Sequence, residues 1–356
     1  MSRRILSHRV CVVGLLWSMS TAQGSGVVYF AEVFNPTFSD GSIKRINTDG
    51  TGLETLVCTG GALRGLAIDL IARNLYWTDA DHDVIRRANL NGTMPEDLVT
   101  TGLAFPNSLD LDPPHDSLYW GDQTLHHIGR ADLDGSNTEV ILSTLLHWGV
   151  TVDSSNSKLI WSTAISGPDG NIMRSNLDGS DVETVVTGFG KPADIAIDVA
   201  GGKIYWTDYV VDAVRRANLD GTDVQDLFVA DGNFSPGGIA LDLVDGKVYW
   251  GQEETVINAM NIMRMNLDGS KPEIVAEGFG HVTEIVFVPE VPFTCTGDIN
   301  GDGMVGVVDL LLLLSEWDAC ASCPAGTLLG PADFDGSGDV GVKDLLILLG
   351  NWGPCP

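Results

Sequence analysis

The stretch Leu75-Tyr76-Trp77-Thr78-Asp79 recurs almost unchanged as Ile204-Tyr205-Trp206-Thr207-Asp208. Looser copies read Val28-Tyr29-Phe30, Leu118-Tyr119-Trp120-Gly121-Asp122, Leu159-Ile160-Trp161-Ser162 and Val248-Tyr249-Trp250-Gly251. Counted at the tyrosine position, the six copies stand 47, 43, 41, 45 and 44 residues apart. A period of this length marks a repeat protein built from one supersecondary unit per period. The aromatic and β-branched residues of each core favour a strand.

Two further signals flank each core. Downstream, an arginine stands two positions before Asn or Asp, as in Ile85-Arg86-Arg87-Ala88-Asn89 and Ile262-Met263-Arg264-Met265-Asn266. The turn that follows is Asp49-Gly50, Asn91-Gly92, Asp134-Gly135, Asp178-Gly179, Asp220-Gly221 or Asp268-Gly269. Such dipeptides tolerate the positive φ of a tight reversal, so each marks a strand pair. Upstream lies a strand such as Gly65-Leu66-Ala67-Ile68-Asp69 or Ile239-Ala240-Leu241-Asp242, its aspartate seven residues before the tyrosine position. Four short strands per repeat make a propeller blade rather than a helical repeat. Six cores are present, but only five upstream strands; the sixth, Thr283 to Val288, comes at the end of the array. The last strand therefore completes the first blade and closes the ring, leaving no sheet edge to pair with other chains. The propeller is expected over residues 26–288.

These cores and their Asn-Leu-Asp-Gly turns resemble the YWTD (class B) repeats of the low-density lipoprotein receptor family, over about three quarters of the chain. The resemblance implies a six-bladed β-propeller in which the motif residues brace blade against blade, as scaffold rather than site. The copies at 119, 160 and 249 lack the Thr or the Asp, and no epidermal-growth-factor-like module flanks the array, so that family's ligands are not carried over. No catalytic set emerges inside the repeats. His126 and His127, adjacent on a strand, would face opposite sides of the sheet, and there is no nucleophile-elbow pattern.

Composition shifts at Pro289-Glu290-Val291-Pro292, which reads as a linker over 289–294. Beyond it two copies of one motif are offset by 35 residues: Asp298 to Asp309 followed by Leu310–Leu314 and Trp317, and Asp333 to Asp344 followed by Leu345–Leu349 and Trp352. Oxygen donors at positions 1, 3, 5 and 12 of a twelve-residue loop, with glycine at 6, are what calcium requires. The expected ligands are Asp298, Asn300, Asp302, the Met304 carbonyl and Asp309 in the first loop. In the second they are Asp333, Asp335, Ser337, the Asp339 carbonyl and Asp344. Two Ca²⁺ ions are implied. The expected fold is thus mainly β, a six-bladed β-propeller with a small all-α C-terminal domain of two EF-hand-like loop–helix repeats over 295–356. A calcium loop followed by a single helix, twice, resembles the dockerin type I module of cellulosomal enzymes. That resemblance implies a cohesin-like partner, read at loop positions 10 and 11, here Val307-Val308 and Val342-Lys343. The leucine runs are wider than one helix face, so part of each is expected to dock.

The remaining composition limits the function. Arg3, Arg4 and Arg9, an apolar run from Val10 to Trp17 and Ser20-Thr21-Ala22 read as a secretory signal peptide over 1–22, too short to span a bilayer. The formal charge is −28, and −31 without those three arginines. Nucleic acid and anionic membranes would be repelled, and neither is expected as a partner. Cys295, Cys320, Cys323 and Cys355 crowd the last module as disulfide staples would in an oxidising compartment, while Cys58 stands apart. Cys320 and Cys323 are also one half of a zinc knuckle, lacking a second close pair. The reading is a secreted binding or adhesion protein whose propeller takes an unknown protein or glycan ligand. The alternatives are a component of extracellular polysaccharide degradation, marked by two close carboxylates in a groove, and a lactonase-type metalloenzyme, marked by a His/Asp/Asn/Glu cluster on the propeller axis.

Overall fold

A computed structural model describes residues 26–34, 39–144, 149–163, 170–230, 236–254, 259–289, 304–315, 340–350 and 352–354. The signal segment, most of the linker and eight of the ten expected calcium-loop ligand positions' side chains lie outside these residues. Two compact units form: residues to Ile68 with Leu75–Glu290, and Asp69–Asn74 with Val291–Pro356.

The first unit is built from six antiparallel sheets of four strands. Blade 2 runs Leu63–Asp69, Asn74–Asp79, Val84–Asn89 and Glu96–Val99, from the first strand outward. The first three of these strands are the three sequence signals in order. Blades 3, 4, 5 and 6 repeat the plan from Pro106–Asp112, Val150–Asp153, Pro192–Asp198 and Pro236–Asp242. Blade 1 mixes the ends of the array. Its first strand is His281–Pro289, paired antiparallel with Gly26–Phe34 so that Val286 lies opposite Tyr29. Ser39–Asn47 and Glu54–Cys58 complete it. The expected ring closure is therefore present.

Adjacent side chains on a strand point to opposite faces, and this explains why Tyr and Trp come as a pair. Each tyrosine faces the following blade and each tryptophan the preceding one. Tyr29 packs with Trp77, Tyr76 with Trp120, Tyr119 with Trp161, Ile160 with Trp206, Tyr205 with Trp250 and Tyr249 with Phe30. The core is accordingly six inter-blade clusters. The five tryptophans of the repeated motif are buried to 1% exposure or less.

The polar motif residues do the same work by hydrogen bonding. Thr207 Oγ1 receives the Asp194 N–H at 3.2 Å and donates to the Gly237 carbonyl of the next blade at 3.0 Å. Ser162, at the equivalent place, links Gly149 to Ala193, each at 3.0 Å. Asp122 gathers the N–H groups of Ala104, Phe105, Thr124 and Leu125. Four of the arginines cross to the next blade: Arg87, Arg174, Arg216 and Arg264 donate Nη1 to the carbonyls of Leu133, Leu219, Leu267 and Thr48 at 2.8–3.0 Å. The scaffold role implied by the resemblance is what these contacts perform.

Among the described residues, the second unit contains two helices, α1 (Val307–Ser315) and α2 (Val342–Gly350), and a two-residue pairing of Met304–Val305 with Gly353–Pro354. Of these residues, Val305, Leu313, Val340 and Leu348 pack together fully buried.

Candidate functional site

Around the ring axis the first strands of all six blades enclose a channel with a cavity of about 340 Å³. Its wall is mostly aliphatic, from Leu66, Leu109, Val150, Ile195, Ile239 and Ile285. Four lining side chains are polar: Asp110, Thr151, Asp194 and Glu284. The carboxyl groups come from blades 3, 5 and 1, that is, from alternate blades.

Asp110 and Asp194 are each placed by backbone of a neighbouring blade. Asp110 Oδ2 accepts from the Val152 N–H at 2.8 Å and the Thr151 hydroxyl at 3.0 Å, tying blade 3 to blade 4. Asp194 Oδ2 accepts from the Ile239 N–H at 2.7 Å, tying blade 5 to blade 6. Glu284 is hydrogen-bonded to Asp194 across the axis. Burial disfavours charge on all three. It pushes Asp110 up to about 6 and raises Asp194. Glu284 is raised well above the ordinary carboxyl range, by burial first and then by the Asp194 charge.

Chemically this is an acid-lined channel whose carboxyl groups bind protons more tightly than ordinary carboxyls do. The direct contact between Asp194 and Glu284 is closer than the roughly 5 Å of retaining glycosidases or the wider gap of inverting ones. That pair is not spaced as a glycosidase pair. Among the described residues no group of three or more His, Cys, Asp and Glu is arranged to hold a metal.

Sequence reasoning did not single out these residues, although a signal existed. Four positions before the turn aspartate the first strands carry Gly65, Ser108, Gly149, Asp194 and Gly238, with Glu284 equivalent by register. Carboxylates at a position otherwise reserved for small residues were the cue. The paired histidines resolve differently from expectation. His126 sits in the turn at φ 54° and only His127 is on the strand, buried, with its pKa lowered by that burial.

Of the expected calcium ligands, the Met304 backbone lies in the short pairing, and Asp309 and Asp344 open the two helices. Asp298, Asn300, Asp302, Asp333, Asp335, Ser337 and Asp339 lie outside the described residues. The two described carboxylates are equivalent and buried, and each accepts the backbone N–H of the residue three before it, Gly306 or Gly341, at 2.8 Å. Buried carboxylates held at the start of a helix suit the closing position of a calcium loop. The expected docking positions Val307, Val308, Val342 and Lys343 are all exposed. Cys58 is disulfide-bonded.

Six four-stranded blades closed by the two ends of the array define a six-bladed β-propeller. Its curated relatives are low-density lipoprotein receptor-related proteins. The chain is 29% identical over 197 residues to low-density lipoprotein receptor-related protein 1 of Pyricularia oryzae, covering 51% of this chain and 53% of the relative. It is 27% identical over 188 residues to the human low-density lipoprotein receptor-related protein 5-like protein, covering 52% and 58%. With human low-density lipoprotein receptor-related protein 5 the identity is 35% over 194 residues, 54% of this chain and 12% of that one. The chain thus spans little more than half the length of the first two relatives. No protein-family model matches it. Among solved structures, a chain of the nidogen/laminin complex superposes with a TM-score of 0.63 at 21% identity, covering 74% of this chain and 98% of that one. TolB from Acinetobacter baumannii gives 0.62 at 16%, covering 76% and 68%. These structural likenesses establish the fold.

Proposed function

We propose that the propeller is a binding platform carried by a secreted protein, and that the C-terminal unit attaches it, when loaded with two Ca²⁺ ions, to a cohesin-like partner. The observation that carries the attachment is a repeated apolar face. Val307, Leu311 and Leu314 on α1 and their equivalents Val342, Leu346 and Leu349 on α2 are exposed by 47–64%, whereas Leu313 and Leu348 are fully buried. Positions i, i+4 and i+7 make one stripe along a helix, and a stripe left facing water marks an interaction surface. The same stripe occurs twice, 35 residues apart.

Calcium would be held by the loops beginning at Asp298 and Asp333, with Asp309 and Asp344 at their closing positions. A hard cation with six to eight oxygen ligands would fix each loop against its helix. Similarity to the low-density lipoprotein receptor-related proteins supports the platform role, and the signal-like residues 1–22 support export. Among the described residues no helix is long and apolar enough to cross a membrane.

The test is binding of the intact chain to immobilised cohesin-type domains, with calcium and with chelator. Capture that is lost on chelation, and lost in the Leu311→Glu/Leu346→Glu variant, is expected. Capture indifferent to both treatments, or no capture by any cohesin-type domain, would overturn the docking reading.

A further inference from the structure

Blade 1 is the blade in which the two ends of the array meet, and its closing strand His281–Pro289 carries Glu284 into the channel. The glycines of alternate blades make this possible. At Gly238, a Cβ would stand 2.6 Å from the Glu284 Cα, and at Gly149, 3.1 Å from the Asp194 Cα. Gly65 is equally close to the Leu109 backbone, at 2.6 Å. First strands therefore approach most tightly at the level of the carboxyl groups, and only blades 3, 5 and 1 present a side chain there, as Ser108, Asp194 and Glu284.

We propose that Glu284 and Asp194 share a single proton and act as a pH-released latch on the ring-closing strand. The Glu284 hydroxyl donates to the Asp194 carboxylate, which also accepts the Ile239 N–H. One proton thereby ties blade 1 to blade 5, and through Asp194 to blade 6. When that proton leaves, two carboxylates in direct contact repel inside an aliphatic wall, and the closing strand is the element that loosens.

The other ionisable groups on the surrounding strands are engaged elsewhere. Asp69 and Asp242 accept backbone N–H groups of their own turns. Asp112 and Asp153 hold Ser154 and Asn156, and Asp198 holds Gly201. Glu32 pairs with Lys44 and Ser42. Arg45 holds Glu54 and acts on Tyr29, and Arg264 holds Glu273 and reaches the Tyr249 hydroxyl. Lys203 and Lys247 bind Asn218 and Asn266. Arg64 and His281, on strands flanking the axis, act on each other, and burial together with the Arg64 charge holds His281 down to about 4, so it is neutral above that pH. Asp110 remains as the neighbour that adds negative charge.

The sign follows. Glu284 binds its proton more tightly in the folded than in the unfolded state, so the latch stabilises below the ordinary carboxyl pKa and its contribution is lost as pH rises through the folded value. The experiment uses the intact chain in two measurements. Infrared spectroscopy at a pH above the ordinary carboxyl range is expected to show a protonated-carboxyl carbonyl band that Glu284→Gln diminishes. The thermal midpoint is expected to fall as pH rises above the ordinary carboxyl range in the wild type and to fall less in Glu284→Gln, where only the raised Asp110 and Asp194 remain. Asp194→Asn, which removes the neighbouring charge, is expected to move the band's disappearance to lower pH. Absence of the band in the wild type, or a band and slope unchanged in Glu284→Gln, would overturn the latch. Neither measurement involves calcium or a docking partner.

Discussion

At the scale of single residues, the six turn glycines satisfy two demands at once. Each has φ between 79° and 85°, and each abuts the outermost strand of the preceding blade. A Cβ on Gly221 would lie 1.7 Å from the Val185 carbonyl oxygen, and one on Gly50 would lie 2.5 Å from that of Val275. Gly102 has a similar φ, 73°, but nothing within 4 Å. The two demands are therefore separable. Gly102→Ala is expected to cost about 1 kcal/mol, the strain of a positive φ alone. Gly221→Ala adds a backbone collision and is expected to cost about 3 kcal/mol or more. Urea midpoints of the two variants check this; equal losses would mean that the inter-blade contact contributes nothing.

At the scale of elements, the arginine of each third strand is the part whose purpose was least legible. Its recurrence before Asn or Asp is plain in the sequence, and the Asp-Gly turns fixed the hairpins without help from packing. What no local pattern reveals is that Arg264 reaches the Thr48 carbonyl, 216 residues away, at 2.9 Å, while lying over the Tyr249 ring and pairing with Glu273. The Glu273 side chain is 55% exposed, so the ion pair itself is weak. Loss of Arg264 strands a part-buried carbonyl at the junction that closes the ring. Arg264→Ala is expected to cost about 2–3 kcal/mol and Glu273→Ala less than about 1 kcal/mol, as read from denaturant unfolding. Comparable losses would contradict the inter-blade role. The channel carboxyls were hidden for the same reason. Asp194 and Glu284 are 90 residues apart, and their meeting depends on ring closure rather than on any motif.

At the scale of the molecule, two kinds of stability are joined in one chain. The propeller is held by six repeated hydrophobic seams. Among the described residues of the C-terminal unit, Val305, Leu313, Val340 and Leu348 are fully buried and are flanked by Leu310 and Leu345. Small domains of this size generally recruit metals or disulfides. Its buried Asp309 and Asp344 add a desolvation cost that a bound cation would offset. The proposed attachment is consequently expected to depend on calcium. Equilibrium dialysis of the intact chain against labelled calcium tests this most directly. Two ions bound per chain are expected, falling to one in Asp309→Ala and to one in Asp344→Ala; no saturable binding, or stoichiometry unchanged by both substitutions, would contradict the proposed calcium loading.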